Sequence, residues 1–127
     1  MNKILHIGLH IIENDLESFY TNVLNCKIER TFNLQPEDSF NIFGINEEVK
    51  ILRVSCGGLE LELFIDGKIE SPTFGHVCFQ SSKAERIFET ASENGYRTFI
   101  RKRNSGETYF ISDSNHNLFE IKRFNCV

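Results

Sequence analysis

From Ile4 to Ile12 the apolar residues Leu5, Ile7, Leu9 and Ile11 alternate with His6, Gly8 and His10, a period of two that predicts a strand with one buried face. An Asn14 or Asp15 cap follows. Leu16, Phe19, Tyr20, Val23 and Leu24 then recur at helical spacing and stop near Asn25, which predicts a short amphipathic helix laid on the sheet. Lys27 to Leu34 reads as a strand, and Gln35 to Glu48, where Pro36 and Gly44 stand among polar residues, reads as a loop or a weakly ordered strand. Val49 to Cys56 and Leu59 to Ile65 are two strands joined at Gly57-Gly58, a pair suited to the positive φ angles of a tight hairpin. The first half is therefore β-α-β-β-β.

Both periods break at Asp66 to Thr73, where Gly67, Ser71 and Pro72 mark a connector, and then the order repeats. Phe74 to Gln80 is a predicted strand, and Ser82 to Asn94 a helix with Ala84, Ile87, Phe88 and Ala91 on one side and Gly95 at its stop. Tyr96 to Arg101, Thr108 to Ser112 and Leu118 to Phe124 supply three more strands, with turns at Asn104-Ser105-Gly106 and at Asp113 to Asn117. Residues 1–127 thus form one domain of two modules, about 1–66 and 74–127 with a connector over 67–73, and each half is too short to enclose a core alone.

Successive side chains of a strand point to opposite faces, so parity decides which polar groups can meet. If Leu59, Leu61, Leu63 and Ile65 face the helices, Glu60, Glu62 and Phe64 face the other way; the same test puts His6 and His10 away from the first helix. In the second module Gly75, Val77 and Phe79 pack, which leaves Phe74, His76, Cys78 and Gln80 opposite, and Glu120 shares the free face of the last strand with Leu118, Lys122 and Phe124. Each module thereby offers one imidazole and one carboxylate, and the two modules paired face to face would make a single metal site of His6, Glu62, His76 and Glu120. Two imidazoles and two carboxylates suit a borderline divalent ion such as Zn, Ni, Co, Mn or Fe. Taken singly, each of these residues is more often a solvated polar group; their joint order and parity raise the set above that.

Composition narrows the class. With 127 residues, 40% of them apolar, one packed domain is affordable and two are not. A net charge of -4 with dispersed cations argues against nucleic acid, and the Arg101 to Arg103 cluster reads as a solvated strand end. No apolar run approaches a membrane span and the first residues lack a signal-peptide pattern, so a cytoplasmic protein is expected. Cys26, Cys56, Cys78 and Cys126 are then read as reduced, mostly buried thiols, with Cys78 a small filler.

The segments ILHIGLHIIENDLESFYTNVLNCKI, LELELF, FGHVCFQSSKAERIFETASENGY and YFISDSNHNLFEIKRF together resemble the vicinal oxygen chelate superfamily, which includes glyoxalase I, extradiol dioxygenases and fosfomycin-resistance enzymes. The resemblance implies an α+β fold of two βαβββ modules forming a curved, partly open eight-stranded sheet around a cleft. It also implies metal ligands at His6, Glu62, His76 and Glu120, a homodimer, and a cleft formed within one chain or across two. The activity it implies is that of a glyoxalase-like lyase or isomerase acting on a small alpha-oxygenated carbonyl compound. There the metal is a Lewis acid that stabilises an enediolate, with Glu120 the catalytic base and Glu62 a ligand and partner acid.

Other members of that superfamily set the alternatives. A dioxygenase or a thiol transferase would use the three-ligand set His6, His76 and Glu120, and a metal-free drug-binding protein would use none. Against glyoxalase I itself, the fourth strand continues as Ile65-Asp66-Gly67-Lys68 in place of an Asn-containing turn, and Glu17 and Ser18 stand near the place of a basic residue. His10 is read as a rim or substrate contact, Glu60 as a register neighbour of Glu62, and His116 as an exposed turn residue. Phe64, Phe74, Phe110 and Phe124 are candidates to line an apolar pocket.

Overall fold

Alternation of apolar and polar residues produces eight strands in two four-stranded sheets, which the computed structural model describes together with the helices over residues 1–124. The first module contains β1 (Ile7–Ile11), a π-helix (Leu16–Thr21), β2 (Lys27–Leu34), α1 (Pro36–Phe43), β3 (Val49–Cys56) and β4 (Leu59–Ile65). The second contains β5 (His76–Gln80), α2 (Ala84–Glu93), β6 (Arg97–Arg103), β7 (Gly106–Ser112) and β8 (Leu118–Lys122). Strand order is β1-β4-β3-β2 in one sheet and β5-β8-β7-β6 in the other, with the first pair of each parallel and the rest antiparallel. The fold is therefore α+β with two related modules, and the sheets are not closed.

One face of each sheet feeds a common core. Leu61 and Leu63 of β4, Ile111 of β7 and Phe119 and Ile121 of β8 are fully buried in the same cluster as Phe19, Tyr20, Ala84 and Ala91 of the helices. The first helix is wound more widely than an α-helix: the Asn22 amide donates to the Glu17 carbonyl at 2.9 Å and the Leu24 amide to the Phe19 carbonyl at 3.1 Å. Its Phe19 ring packs against Tyr96 at 4.9 Å and Phe119 at 5.8 Å, both in the second module. Neither module completes its core alone.

A buried polar network fixes how the modules meet. Asp113, at the β7–β8 turn, accepts from the Tyr20 hydroxyl at 2.6 Å and from the amides of Asn115 and Asn117, both at 2.9 Å. Asn115 and Asn117 each donate to the carbonyl of His10, at 3.0 and 2.7 Å, and Asp15 accepts from Ser114 and from the Tyr96 hydroxyl. Burial pushes the Tyr20 hydroxyl well above its ordinary range and Tyr96 up to about 12, so both remain donors. Buried polar groups left unpaired are costly, and here the turn's own partners come from β1 and the first helix.

Three expectations change. Gln35 to Glu48 contains a helix, started by Pro36 at its first position with Glu37 and Asp38 in the first turn and stopped by Gly44 at φ 74, a conformation glycine adopts without strain. β1, β5 and β8 are shorter than expected, so His6 lies just before β1 and Phe74 just before β5, whereas β6 and β7 each extend two residues further into the turn that joins them. Cys26 and Cys56 are not reduced thiols but a disulfide joining the start of β2 to the end of β3, with Cα atoms 4.2 Å apart. Cys78 is free and exposed, and Cys126 lies outside the described residues.

The cross-link closes a loop of 30 residues in sequence separation, which by chain entropy alone stabilises the fold by about 3 to 4 kcal/mol. Cys26→Ser, or added reductant, is expected to lower the denaturant midpoint accordingly; an unchanged midpoint in both would show that the link contributes nothing.

Candidate metal centre

Each module brings one imidazole against one carboxylate on the face its core does not use. In the first, His6 Nε2 is 3.1 Å from Glu62 Oε1, the histidine side chain 36% exposed and the glutamate 17%. In the second, His76 Nε2 is 3.2 Å from Glu120 Oε1, at 40% and 20%. The match follows from topology, because β1 runs parallel beside β4 and β5 parallel beside β8 with the same offset: Gly8 is opposite Glu62, and Cys78 is opposite Glu120. Alternation then separates Glu62 from the buried Leu61 and Leu63, and Glu120 from the buried Phe119 and Ile121.

The four residues expected to share one centre fall in two pairs on two different sheets. Among the described residues no group of three or more His, Cys, Asp or Glu stands close enough to hold a metal. Cation-ligand chemistry nevertheless suits the second pair as it stands. His76 Nδ1 donates to the Phe74 carbonyl at 2.9 Å, which fixes the ring and directs the Nε2 lone pair at Glu120, so two acceptors meet that require a proton or a cation between them. At His6 the arrangement is reversed. Arg53 on β3 donates to His6 Nδ1 at 2.8 Å, so Nε2 carries the proton toward Glu62, and a metal taken through Nε2 requires Arg53 to release the ring. Arg53 also lies 3.6 Å from Glu62, and its buried Nε has no partner. Sequence pattern did not single it out, although its place opposite Glu62 follows from the hairpin register.

The remaining candidates separate cleanly. Glu60 is held by Ser55 at 3.1 Å and belongs to neither pair. His116 sits in the turn at φ 66, exposed, as expected. Phe110 is half-buried on the Glu120 face, Phe64 packs on Phe43 at 5.4 Å, and Phe74 is fully exposed. Cys78 is not a buried filler; partial desolvation and then the Glu120 charge raise its thiol pKa, which disfavours a nucleophilic role. A groove of about 700 Å³ between the modules, bordered by Asn25, Cys56 and Lys83, includes none of the four paired residues.

His10 does not reach the His6 pair. Its ring is clamped between two carboxylates of the connector, Asp66 at Nε2 and Glu70 at Nδ1, the latter at 2.7 Å. Desolvation pulls its pKa down, but the hydrogen bonds and charges of Asp66 and Glu70 outweigh this and raise it above 6.5; Asp66, despite its own desolvation, is lowered below 3.8 by the Lys68 amide and His10. The His10 contribution is thus fully present below pH 6.5 and lost as pH rises through its elevated value, and the Asp66 contribution is present above pH 3.8 and lost in acid. Protection of the amides over residues 66–70, taken relative to the intrinsic exchange rate at each pH, is expected to be greatest in that window and to fall at alkaline pH, with His10→Gln abolishing the fall; protection independent of pH in the native chain would refute the clamp.

Known proteins share this fold. No protein-family model matches the chain, and no curated protein matches it by sequence. Solved structures do. The fosfomycin resistance protein FosX from Listeria monocytogenes superposes with a TM-score of 0.73 at 18% identity, over 98% of this chain and 95% of its own. FosX from Mesorhizobium loti gives 0.67 at 12% identity, over 95% and 90%, and a glyoxalase family protein from Enterococcus faecalis gives 0.70 at 20%, over 95% and 97%. These neighbours belong to the vicinal oxygen chelate superfamily, and the chain has their fold over nearly its whole length. The Listeria protein has been crystallised with Mn(II).

Proposed function

We propose that this protein is a metal-dependent enzyme of the vicinal oxygen chelate type whose centre is completed by a second copy of the chain. His6 and Glu62 of one copy and His76 and Glu120 of the other would hold one divalent ion. The observation that carries this reading is the pair of equivalent His–Glu contacts, at 3.1 and 3.2 Å, each supplying half of a four-ligand set. Apolar residues beside both pairs support it: Leu5, next to His6, is 70% exposed and Phe74, near His76, fully exposed, an arrangement that favours cover by another chain.

A bound divalent cation supplies a Lewis acid for two neighbouring substrate oxygens. The chain's own part is acid-base work on a small alpha-oxygenated carbonyl substrate, as a lyase or isomerase. Glu120, kept near Lys122 Nζ at 3.6 Å, takes a proton from the carbon beside the carbonyl and returns it, and Glu62 acts as ligand and partner acid. Arg53, once released from His6, is free to neutralise charge on the substrate. The likeness to FosX favours a second reading, a role in fosfomycin resistance.

Elemental analysis tests the centre. Metal is expected in the purified chain and lost in both His6→Ala and His76→Ala. Mixing the two variants under conditions that exchange subunits restores one of the two sites in each mixed dimer, and since random exchange makes half of the dimers mixed, about a quarter of the native metal; no restoration refutes a centre shared between copies. Absence of metal from the native chain, with tight uptake of an aromatic compound, would replace the enzyme by a binding protein.

The chemistry is tested by a screen of 2-oxoaldehydes with different thiols. Glu120→Gln is expected to reduce turnover by roughly 10²- to 10⁴-fold while keeping the fold. If Glu62→Gln abolishes turnover and Glu120→Gln retains it, the two roles are exchanged. Raised fosfomycin tolerance in cells expressing the chain, with no 2-oxoaldehyde turnover, would select the second reading.

A further inference from the structure

The free face of the second sheet carries a recess of about 250 Å³ that none of the preceding chemistry uses. Its floor is apolar, formed by Phe99, Phe110 and Leu118, with Ser112 at one side and Arg97 and Arg101 at the rim. Register places it against the second His–Glu pair: Phe110 is the cross-strand partner of Glu120, and Leu118 is the partner of His76. Phe99 is opposite Phe110, their ring centroids 6.3 Å apart, and Phe99 is 62% exposed.

Arg97 and Arg101 stand two residues either side of Phe99 on β6, so all three share one face, with each arginine roughly 7 Å along the strand from the ring. Neither arginine has an ion pair among the described residues, whereas the cation near Glu120 is Lys122. Two free guanidinium groups beside an exposed aromatic floor form a site complementary to an organic anion, because planar guanidinium binds carboxylate and phosphonate in two-point fashion and the rings accept a flat apolar group. The volume lies below the roughly 300 to 1,000 Å³ of sites that hold drug-sized ligands, which restricts the occupant to about one ring or branched chain with its headgroup.

We propose that this recess is the substrate subsite of the second module and takes a small aromatic acid, its carboxylate or phosphonate held by Arg97 and Arg101 and its ring laid on Phe99 and Phe110. The assignment rests on the metal-centre reading only for its direction, in that the ligand's oxygenated end then points toward His76 and Glu120. Small anions without a ring, and neutral aromatic compounds, each satisfy half of the site.

The test is a titration of the full chain with benzoate, phenylphosphonate, propylphosphonate and benzyl alcohol, followed by the NMR signals of the Phe99 and Phe110 rings. Benzoate or phenylphosphonate is expected to shift both rings and to bind at least tenfold more tightly than benzyl alcohol or propylphosphonate, and the stronger of the two identifies the headgroup. Arg97→Gln with Arg101→Gln should weaken that binding about tenfold or more, and Phe99→Ala should remove the preference for the aromatic anion, with metal content unchanged in both. Equal binding of benzyl alcohol, equal binding of propylphosphonate, or no effect of the arginine changes would overturn the subsite. So would ring shifts that follow protein concentration and not ligand, since a second copy then covers the recess. Loss of metal-centre evidence with anion binding intact would count against the metal reading alone.

Discussion

The turn from Asp113 to Asn117 is the constraint on which the arrangement of the molecule depends. Its asparagines spend their side-chain donors on the backbone of β1, and Asp113 and Asp15 accept from Tyr20, Tyr96 and Ser114 across the module boundary. Tyr20, Asp15, Asp113 and Asn115 are buried, and breaking one of their bonds leaves a partner unsatisfied, which makes the network a matter of orientation more than of strength. The aromatic contacts of Phe19 with Tyr96 and Phe119 fill the space that the network defines.

With the modules held by their helix-bearing sides, the other face of each sheet is left to function. Alternation along β4 and β8 assigns leucine, isoleucine and phenylalanine to the core and glutamate to that outer face. A four-ligand centre within one chain would require those two faces to meet, and the shared core already occupies the sides by which the modules meet. The same packing that gives a small domain its stability therefore leaves the two His–Glu pairs on separate sheets. Arg53 adds a layer to this picture, because it donates to the ring nitrogen of His6 that faces away from Glu62.

Much of the fold was legible in the residues. β2, β3 and β4 were bounded as they stand, since alternation is strict in β4, Gly57-Gly58 closes the hairpin and Gln35-Pro36 follows the end of β2. The segment from Gln35 to Glu48 was read as loop because its polar content hid the helix, yet Pro36 and Gly44 marked both ends of α1. The disulfide was missed because two cysteines 30 residues apart carry no spacing signal; the pairing exists only once β2 and β3 lie side by side.

By itself, then, the sequence determined which residues share a strand face, and so that His6, Glu62, His76 and Glu120 all lie away from the core, because a period of two is a local property of the backbone. It also determined that two short modules must share a core. Tertiary structure alone decided that the two pairs lie apart within one chain, that His10 is claimed by Asp66 and Glu70, and that Arg97, Phe99 and Arg101 border a recess beside Glu120. The physical reason is that those contacts join residues distant in the chain, and their distances are set by how strands pair and modules pack, which no local pattern encodes.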